Sequence, residues 1–424
     1  MRGAMKESGV EWIGEIPEGW DLTKISQIYR QRNQKVSDKE YLPLSVTKNG
    51  IVPQLESAAK TEHTDDRRLV KINDFVINSR SDRRGSCGIS SYDGSVSVIN
   101  TVLEPFGELN GLYYNYVFKS AQFADEFYRL GHGIVDDLWS TKWGEMKRIY
   151  IPHPSTSDQH HIASFLDTKC SLIDSTIQKE REIIDKLKEY RQAVITEAVT
   201  KGIRAGVPMK DSGVEWIGEI PYTWSLHKLS FLCRSIGDVD HKMPESTDVG
   251  IPYVSPRDFY GVNNIDFDNA KKITEKSYLE MSKKMAPELH DIIFSRYASL
   301  GEIRYVVTTE RFLVSYSCVI IKPNYEMTYP KYLYYYLHSD NIVQEISYYS
   351  NANTQANVGI DSINRFKVII PNVKEQREIV DYLDAKCSAI DATIQKRELA
   401  IEKLTAYKQS LIYECVTGKR EVLA

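Results

Sequence analysis

The chain has 424 residues, 42% of them hydrophobic and 26% charged, with a formal net charge of −4. That length accommodates two or three domains with sizeable cores, and the composition is that of an ordinary globular protein, not a disordered or membrane-spanning one. No apolar run approaches the roughly 18 residues that a bilayer crossing needs, and no signal-peptide pattern follows the opening MRGAMK, so a cytoplasmic location is expected.

In chain order, the first landmark is ESGVEWIGEIPEGWDLTKIS at residues 7–26, which returns as DSGVEWIGEIPYTWSLHKLS at 211–230 with 14 of 20 positions identical. A second pair, DQHHIASFLDTKCSLIDSTIQKEREIIDKLKEYRQ (158–192) and EQREIVDYLDAKCSAIDATIQKRELAIEKLTAYKQ (375–409), repeats at an offset of 217. The chain is therefore an internal duplication. Between these landmarks the halves barely resemble each other, as expected of one scaffold carrying two different readers. The predicted organisation is a first domain at 1–155, a long helix at 156–201, a linker at 202–210, a second domain at 211–372 and a second long helix at 373–418.

Both variable blocks are mixed. Alternating apolar runs such as RLVKINDFVINSR, SVSVIN, LHDIIFSRY, RFLVSYSCVIIKP and RFKVIIP read as strands. Aromatic-rich stretches, GLYYNYVFKSAQFADEFYRL and PKYLYYYLHSDNIVQEISYY, read as helices, their tyrosines at core-facing spacing and not arranged as a stacking platform. The predicted fold class is α+β, with two mixed domains joined by two long antiparallel helices in a coiled coil.

The first long helix carries Ile162, Leu166, Ile173, Ile177, Ile184, Leu187, Val194 and Ala198 at gaps near the 3.5-residue period, with Asp158 as its expected cap and Gly202 as its stop. The second repeats the seam with Ile379, Leu383, Ile390, Ile394, Ile401, Leu404, Leu411 and Cys415. Each seam is interrupted once, by Glu180 and by Arg397. A charge pair there would fix register if the helices pair antiparallel, and the alternative is that both side chains reach out to water. Trp12, Trp20, Trp216 and Trp224 lie inside the repeated segments and are expected to pack on the helix ends.

Catalytic patterns are missing. There is no Walker lysine loop, no NPP(Y/F) or DPP(Y/F) string and no glycine-rich loop between a strand and a helix, so neither nucleotide hydrolysis nor methyl transfer is expected. The six cysteines are scattered without a CxxC pair, which argues against a disulfide scaffold or zinc finger. His160–His161 lacks a partner at metal-ligand spacing. Asp291, Glu302 and Arg304 superficially resemble a nuclease pattern, but arginine stands where lysine is needed. The expected role is binding.

The repeated SGVEWIGEIP…W segment and the twin LD…C…ID.TIQK…L..Y..Q helices, each ending in VT, resemble the specificity subunit of type I restriction-modification enzymes over essentially the whole chain. The resemblance implies that each variable block reads one half of a split, asymmetric sequence on double-stranded DNA. It also implies a spacer that docks methyltransferase subunits, two in number, with motor/endonuclease subunits joining through them. S-adenosylmethionine, ATP and Mg would be bound by those partners, and this chain would bind no cofactor or metal. A helix of about 42 residues is roughly 60 Å long, so readers near its two ends could face one duplex about one turn, 34–36 Å, apart.

Three loop sets are candidate DNA contacts. The first is a strand-exit loop, with Lys48 and Asn49 in one block and Arg257 and Asp258 in the other. The second holds Arg80, Arg83 and Arg84, matched by Arg296, Tyr297 and Ser299. The third precedes the last strand, with His132 matched by Asn351, Asn353 and Gln355. Arginine addresses guanine edges, Asn and Gln suit adenine, and basic groups clamp phosphate. Residues 1–155 hold 20 basic against 21 acidic side chains, so the isolated chain is expected to bind DNA poorly, with partner subunits supplying much of the backbone grip. The rival reading is a coiled-coil scaffold presenting two protein-binding domains, with no role on nucleic acid.

Overall fold

The computed structural model describes residues 4–54, 66–80, 83–133, 139–239, 241–297, 299–350 and 357–422. The chain divides into two compact units, Met1–Arg181 with Glu398–Ala424, and Glu182–Arg397. The dividing points fall inside the two long helices, so each unit contains part of both.

In the first unit a four-stranded antiparallel sheet runs in the order Cys87–Ile89, Phe75–Asn78, Asn100–Pro105, Tyr29–Gln31. Its central strand, FVIN, is buried throughout, as a strand covered on both faces should be. A second sheet joins Gly94–Ser97, Arg67–Val70 and Lys35–Val36, and the hairpin Leu44–Thr47/Gly50–Pro53 stands beside it. Helices α1 (Gly111–Lys119), α2 (Ala121–Arg129) and α3 (Trp143–Met146) lead to the strand Tyr150–His153, which pairs with Asp21–Lys24, and then to α4 (Thr156–Lys201).

The aromatic stretch expected as one helix is two. Ser120 breaks it: its hydroxyl donates to the Val117 carbonyl at 2.7 Å and accepts from the Phe123 amide at 3.3 Å, so it ends α1 and caps α2. Tyr113, Tyr114, Phe118, Phe123 and Phe127 then form one core with Trp12, Trp20, Ile162, Leu166, Ile173, Ile177, Leu411 and Cys415. Each such buried side chain contributes about 1.5–3 kcal/mol relative to leaving it in water. Ile401 and Leu404 pack on the edge of this core, and Lys408 reaches Asp174 at 2.6 Å.

The cap of α4 corrects the sequence expectation. Ser155, not Asp158, is the capping residue; its hydroxyl accepts from the Asp158 amide at 3.1 Å and donates to the Asp158 carboxylate at 2.9 Å. Gly202 stops the helix as expected, at φ +81°, with its amide on the Ala198 carbonyl.

The second unit repeats the plan. Its main sheet has the order Ile303–Tyr305, Ile292–Ser295, Cys318–Pro323, Cys233–Gly237, all antiparallel, matching the first unit strand for strand. The second sheet differs: Ser246–Thr247, Lys271–Ile273, Ile251–Val254 and Leu313–Val314, the last pair parallel. Helices α5 (Glu275–Met281), α6 (Pro330–Leu337), α7 (Asp340–Tyr349) and α8 (Ile360–Arg365) precede the strand Lys367–Ile370 and then α9 (Val373–Val416). Ser339 separates α6 from α7 as Ser120 does in the first unit, donating to the Tyr336 carbonyl at 2.7 Å. Tyr332, Leu333, Tyr336, Ile379, Leu383, Val194 and Ala198 share its core.

Among the remaining seam positions, Ile184, Ile390 and Ile394 are buried, while Leu187, Glu180 and Arg397 are half-buried. Arg191 pairs with Asp391 at 2.9 Å, the repeat counterpart of the Asp174–Lys408 pair. Trp224 lies against Gly202, and in the first unit Trp20 lies against Gly418, so these tryptophans pack on helix ends as the sequence predicts.

Candidate nucleic-acid interface

In each unit the loop leaving the central strand pairs with the chain that follows the variable loop before the last strand. The first unit bridges Arg80 and His132 to Ser140, with the Thr141 amide on the Ser79 carbonyl at 2.9 Å. The second bridges Tyr297 to Asn357, with the Val358 amide on the Arg296 carbonyl at 3.3 Å. The Arg80–Ser140 and Tyr297–Asn357 bridges are counterparts at the 217-residue offset, so the second loop set is held by the same backbone device in both units, and in the first unit His132 of the third set joins it.

In the first unit this junction borders an open groove of about 570 Å3 lined by Arg80, Ser140, Arg68, Lys142, Gln31 and Asn33. Three cations face it and, among the described residues, no carboxylate lines it, which suits a polyanion. Arg80 is half-buried, its amide held by the Asn78 carboxamide oxygen at 3.1 Å. Arg68 is anchored by donating to the Asn100 carbonyl at 3.0 Å. The Asn33 amide group donates to the Gln31 carboxamide oxygen at 3.2 Å, which ties two of the lining side chains together. Sequence reasoning missed Gln31, Asn33, Arg68 and Lys142. Lys142 stands two places beyond Ser140, and that proximity was the available signal.

The other candidates disperse. Lys48 and Asn49 form the exposed two-residue turn of the hairpin, and Asn49 lines a different groove with Gly88 and Ile89. Arg83 is exposed. Arg84 is committed to α2, paired with Asp125 and lying over the Tyr128 ring at 5.6 Å.

In the second unit the expectation for Arg296 is overturned as to exposure. Its guanidinium is buried, bonded to Asp238 at 2.8 Å and to the Tyr316 carbonyl at 3.1 Å. Tyr297 and Ser299 are half-buried. Arg257 is exposed, but the Asp258 carboxylate is occupied in closing its own turn, accepting from the Ser255 amide at 2.6 Å and hydroxyl at 2.8 Å. Asn351, Asn353 and Gln355 lie outside the described residues.

The nuclease-like triplet does not assemble. Asp291 precedes one end of the strand pair and Glu302 faces Ser295 at the other, about 13 Å away along the strands. Asp291 instead accepts from Lys322 and from the Glu288 amide, each at 2.8 Å. Among the described residues no group of three His, Cys, Asp or Glu side chains is placed to hold a metal ion, and no helix is long and apolar enough to cross a membrane.

Comparison with known proteins agrees with this architecture. The type I restriction modification DNA specificity domain matches residues 234–403. The type I restriction enzyme MjaVIII specificity subunit of Methanocaldococcus jannaschii is 22% identical over 430 residues, 96% of this chain and 94% of that one. The EcoKI specificity subunit of Escherichia coli K12 is 22% identical over 444 residues, covering 96% and 90%. With the EcoBI specificity subunit of E. coli the 22% identity spans 63% of this chain and 58% of its relative. Among solved structures, a chain from work on complex assembly and conformational transition of the type I R-M system superimposes with TM-score 0.72 at 12% identity, covering 96% of this chain and 99% of that one. The HsdS subunit from Thermoanaerobacter tengcongensis gives 0.50 at 14% identity, covering 96% and 98%.

The fold is thus a duplicated α+β architecture with two long helices, shared with solved HsdS subunits. Over residues 234–403 the chain matches the type I restriction modification DNA specificity domain, and over 96% of its length it is similar to the MjaVIII and EcoKI specificity subunits.

Proposed function

We propose that this chain is the DNA sequence-recognition subunit of a type I restriction-modification complex, reading a bipartite asymmetric target with one unit per half-site. The observation that carries the reading is the repeated junction, Arg80–Ser140 in one unit and Tyr297–Asn357 in the other, where the duplicated frame presents unlike side chains. One backbone device with different chemistry on it is what two readers of unlike sequences require. Methyltransferase subunits dock on the long helices, two per complex, and motor/endonuclease subunits join through them. Catalysis, with S-adenosylmethionine, ATP and Mg, belongs to those partners in the cytoplasm, and this chain contributes recognition only.

The test is co-expression with methyltransferase subunits of the same class and sequencing of methylated bases. One split motif is expected, and exchanging residues 27–152 for another block should change one half of it. Methylation without a motif, or a motif unaffected by the exchange, would leave the chain as a scaffold for protein-binding domains.

A further inference from the structure

The two readers are built with different chemistry at the same place. Position 79 is a serine, and the first unit has an open cationic groove there. Its counterpart is Arg296, whose buried side chain occupies the interior of the second unit. Beneath it Asp238, with 5% of its side chain exposed, holds three groups: Lys284 at 2.9 Å, Arg296 at 2.8 Å and His241 at 3.1 Å. Burial alone would raise the Asp238 carboxyl, but Lys284, His241 and Arg296 outweigh it and hold the group below the usual carboxylate range.

Above this pair lie three rings. His241 stacks on Tyr316 at 5.1 Å and 23°, and Tyr297 meets Tyr316 edge-on at 6.3 Å. The Arg296 guanidinium sits over the Tyr297 ring at 4.7 Å and donates to the Tyr316 carbonyl at 3.1 Å, so one buried arginine orients two of the three. The surface is accessible: the His241 side chain is 60% exposed and Tyr316 40%. Rings with polar edges offer apolar contact to thymine methyls and sugars and hydrogen bonds to base edges.

We propose that the second unit reads its half-site through the His241–Tyr297–Tyr316 surface, with Asp238 and Arg296 as positioning residues that do not touch DNA. This rests on the DNA-reading function above. It assigns the specificity of the second half-site to aromatic contact, and the salt-sensitive grip to the first unit. Because the three rings carry no fixed cation and Arg296 is held by Asp238, this surface itself displaces few counterions from phosphate. Each phosphate-bound cation of the first unit contributes about 0.9 to the slope of log K against log salt.

The test uses the full chain in its complex with methyltransferase subunits, on the duplex whose motif methylation mapping defines. H241A and Y316A, both at exposed positions, are expected to cost about tenfold in discrimination at the second half-site. Neither should alter the first half-site or the salt slope, whereas R80A in the first unit should lower that slope by about 0.9. D238N separates the roles of Arg296. An arginine that touched DNA would keep or strengthen its contact once freed, whereas a positioning arginine loses second half-site discrimination. Second half-site discrimination within twofold of the parent in both H241A and Y316A would overturn the inference while leaving the DNA-reading function intact. A complex with no sequence preference at all would overturn both.

Discussion

The phenolic hydroxyl of Tyr113 donates to the Val416 carbonyl at 2.8 Å, tying α1 to the last residue of α9 across 303 positions of sequence. Its counterpart Tyr332 reaches the Val199 carbonyl, near the end of α4, at 3.2 Å and the Ile369 carbonyl at 2.9 Å. Each variable block is thus closed by the terminal part of the other repeat's helix. The carboxyl-terminal residues belong to the core of the amino-terminal reader.

That relationship makes a non-obvious prediction. Y113F should destabilise the first unit by about 1–2 kcal/mol, since a buried carbonyl loses its donor. A chain ending at residue 397 should lose the fold of the first unit altogether, while the second keeps both its helix segments. Hydrogen exchange would read this directly: amides of α1 and α2 should lose protection and those of α6 and α7 should keep it. Equal loss in both units would contradict the closure.

A buried glutamine organises each unit at the start of its long helix. Gln159 donates to the Pro154 carbonyl at 2.9 Å and accepts the Asn110 amide at 2.9 Å. Gln376 does the same with Pro371 at 2.9 Å and the Tyr329 amide at 2.7 Å. The side chain thereby joins the last strand, the long helix and the entry to the aromatic helices. Q159L should cost about 2–4 kcal/mol, because two buried backbone groups lose their partner together. Thermal unfolding should show the drop, and Q159E should fail to restore the Pro154 bond because a carboxylate has no donor there.

These contacts mark where sequence reasoning stops. The long helices were legible because a 3.5-residue apolar period and a glycine stop are local. Ile173 and Ile177, Ile390 and Ile394 are buried as their spacing implies. Ser120 and Ser339 carry no local sign of a break because serine is tolerated within a helix, and only its hydrogen bonds decide. Gln159 and Gln376 sit in DQHH and EQRE, which look like solvated first turns; their burial comes from chain up to 49 residues away. Arg296, in a small-residue loop, has the composition of a DNA contact. Its partner Asp238 lies 58 positions upstream, beyond any local pattern.

His338 gives the second unit a pH signature. Burial pushes its imidazole down to about 4, against the bond from the ring to the Tyr334 carbonyl at 3.0 Å, which works upward. The folded state therefore stays neutral while the unfolded chain takes up a proton near pH 6.5. Stability from this group is complete above that pH and declines as pH falls from about 6.5 to about 4. H338Q keeps a donor for Tyr334 without titrating, so its denaturation midpoint should fall less steeply than the parent's across this window. Parallel profiles for parent and variant would rule the assignment out.

Four residues inserted after Arg181, balanced by four after Arg397, add about one turn, or 6 Å, to each long helix. At about 3.4 Å per base pair that is close to two base pairs of duplex. Four residues rotate a helix about 400°, leaving a 40° error that DNA twist can absorb over a site of this size. If the helices set the distance between readers, methylation mapping of the insertion variant should return both original half-sites, separated by a gap about two base pairs longer. The side chains at Arg80–Ser140 and Tyr297–Asn357 are untouched by the insertion, so the bases read have no reason to change. Altered half-site bases with the original gap would mean that the helices do not act as the ruler.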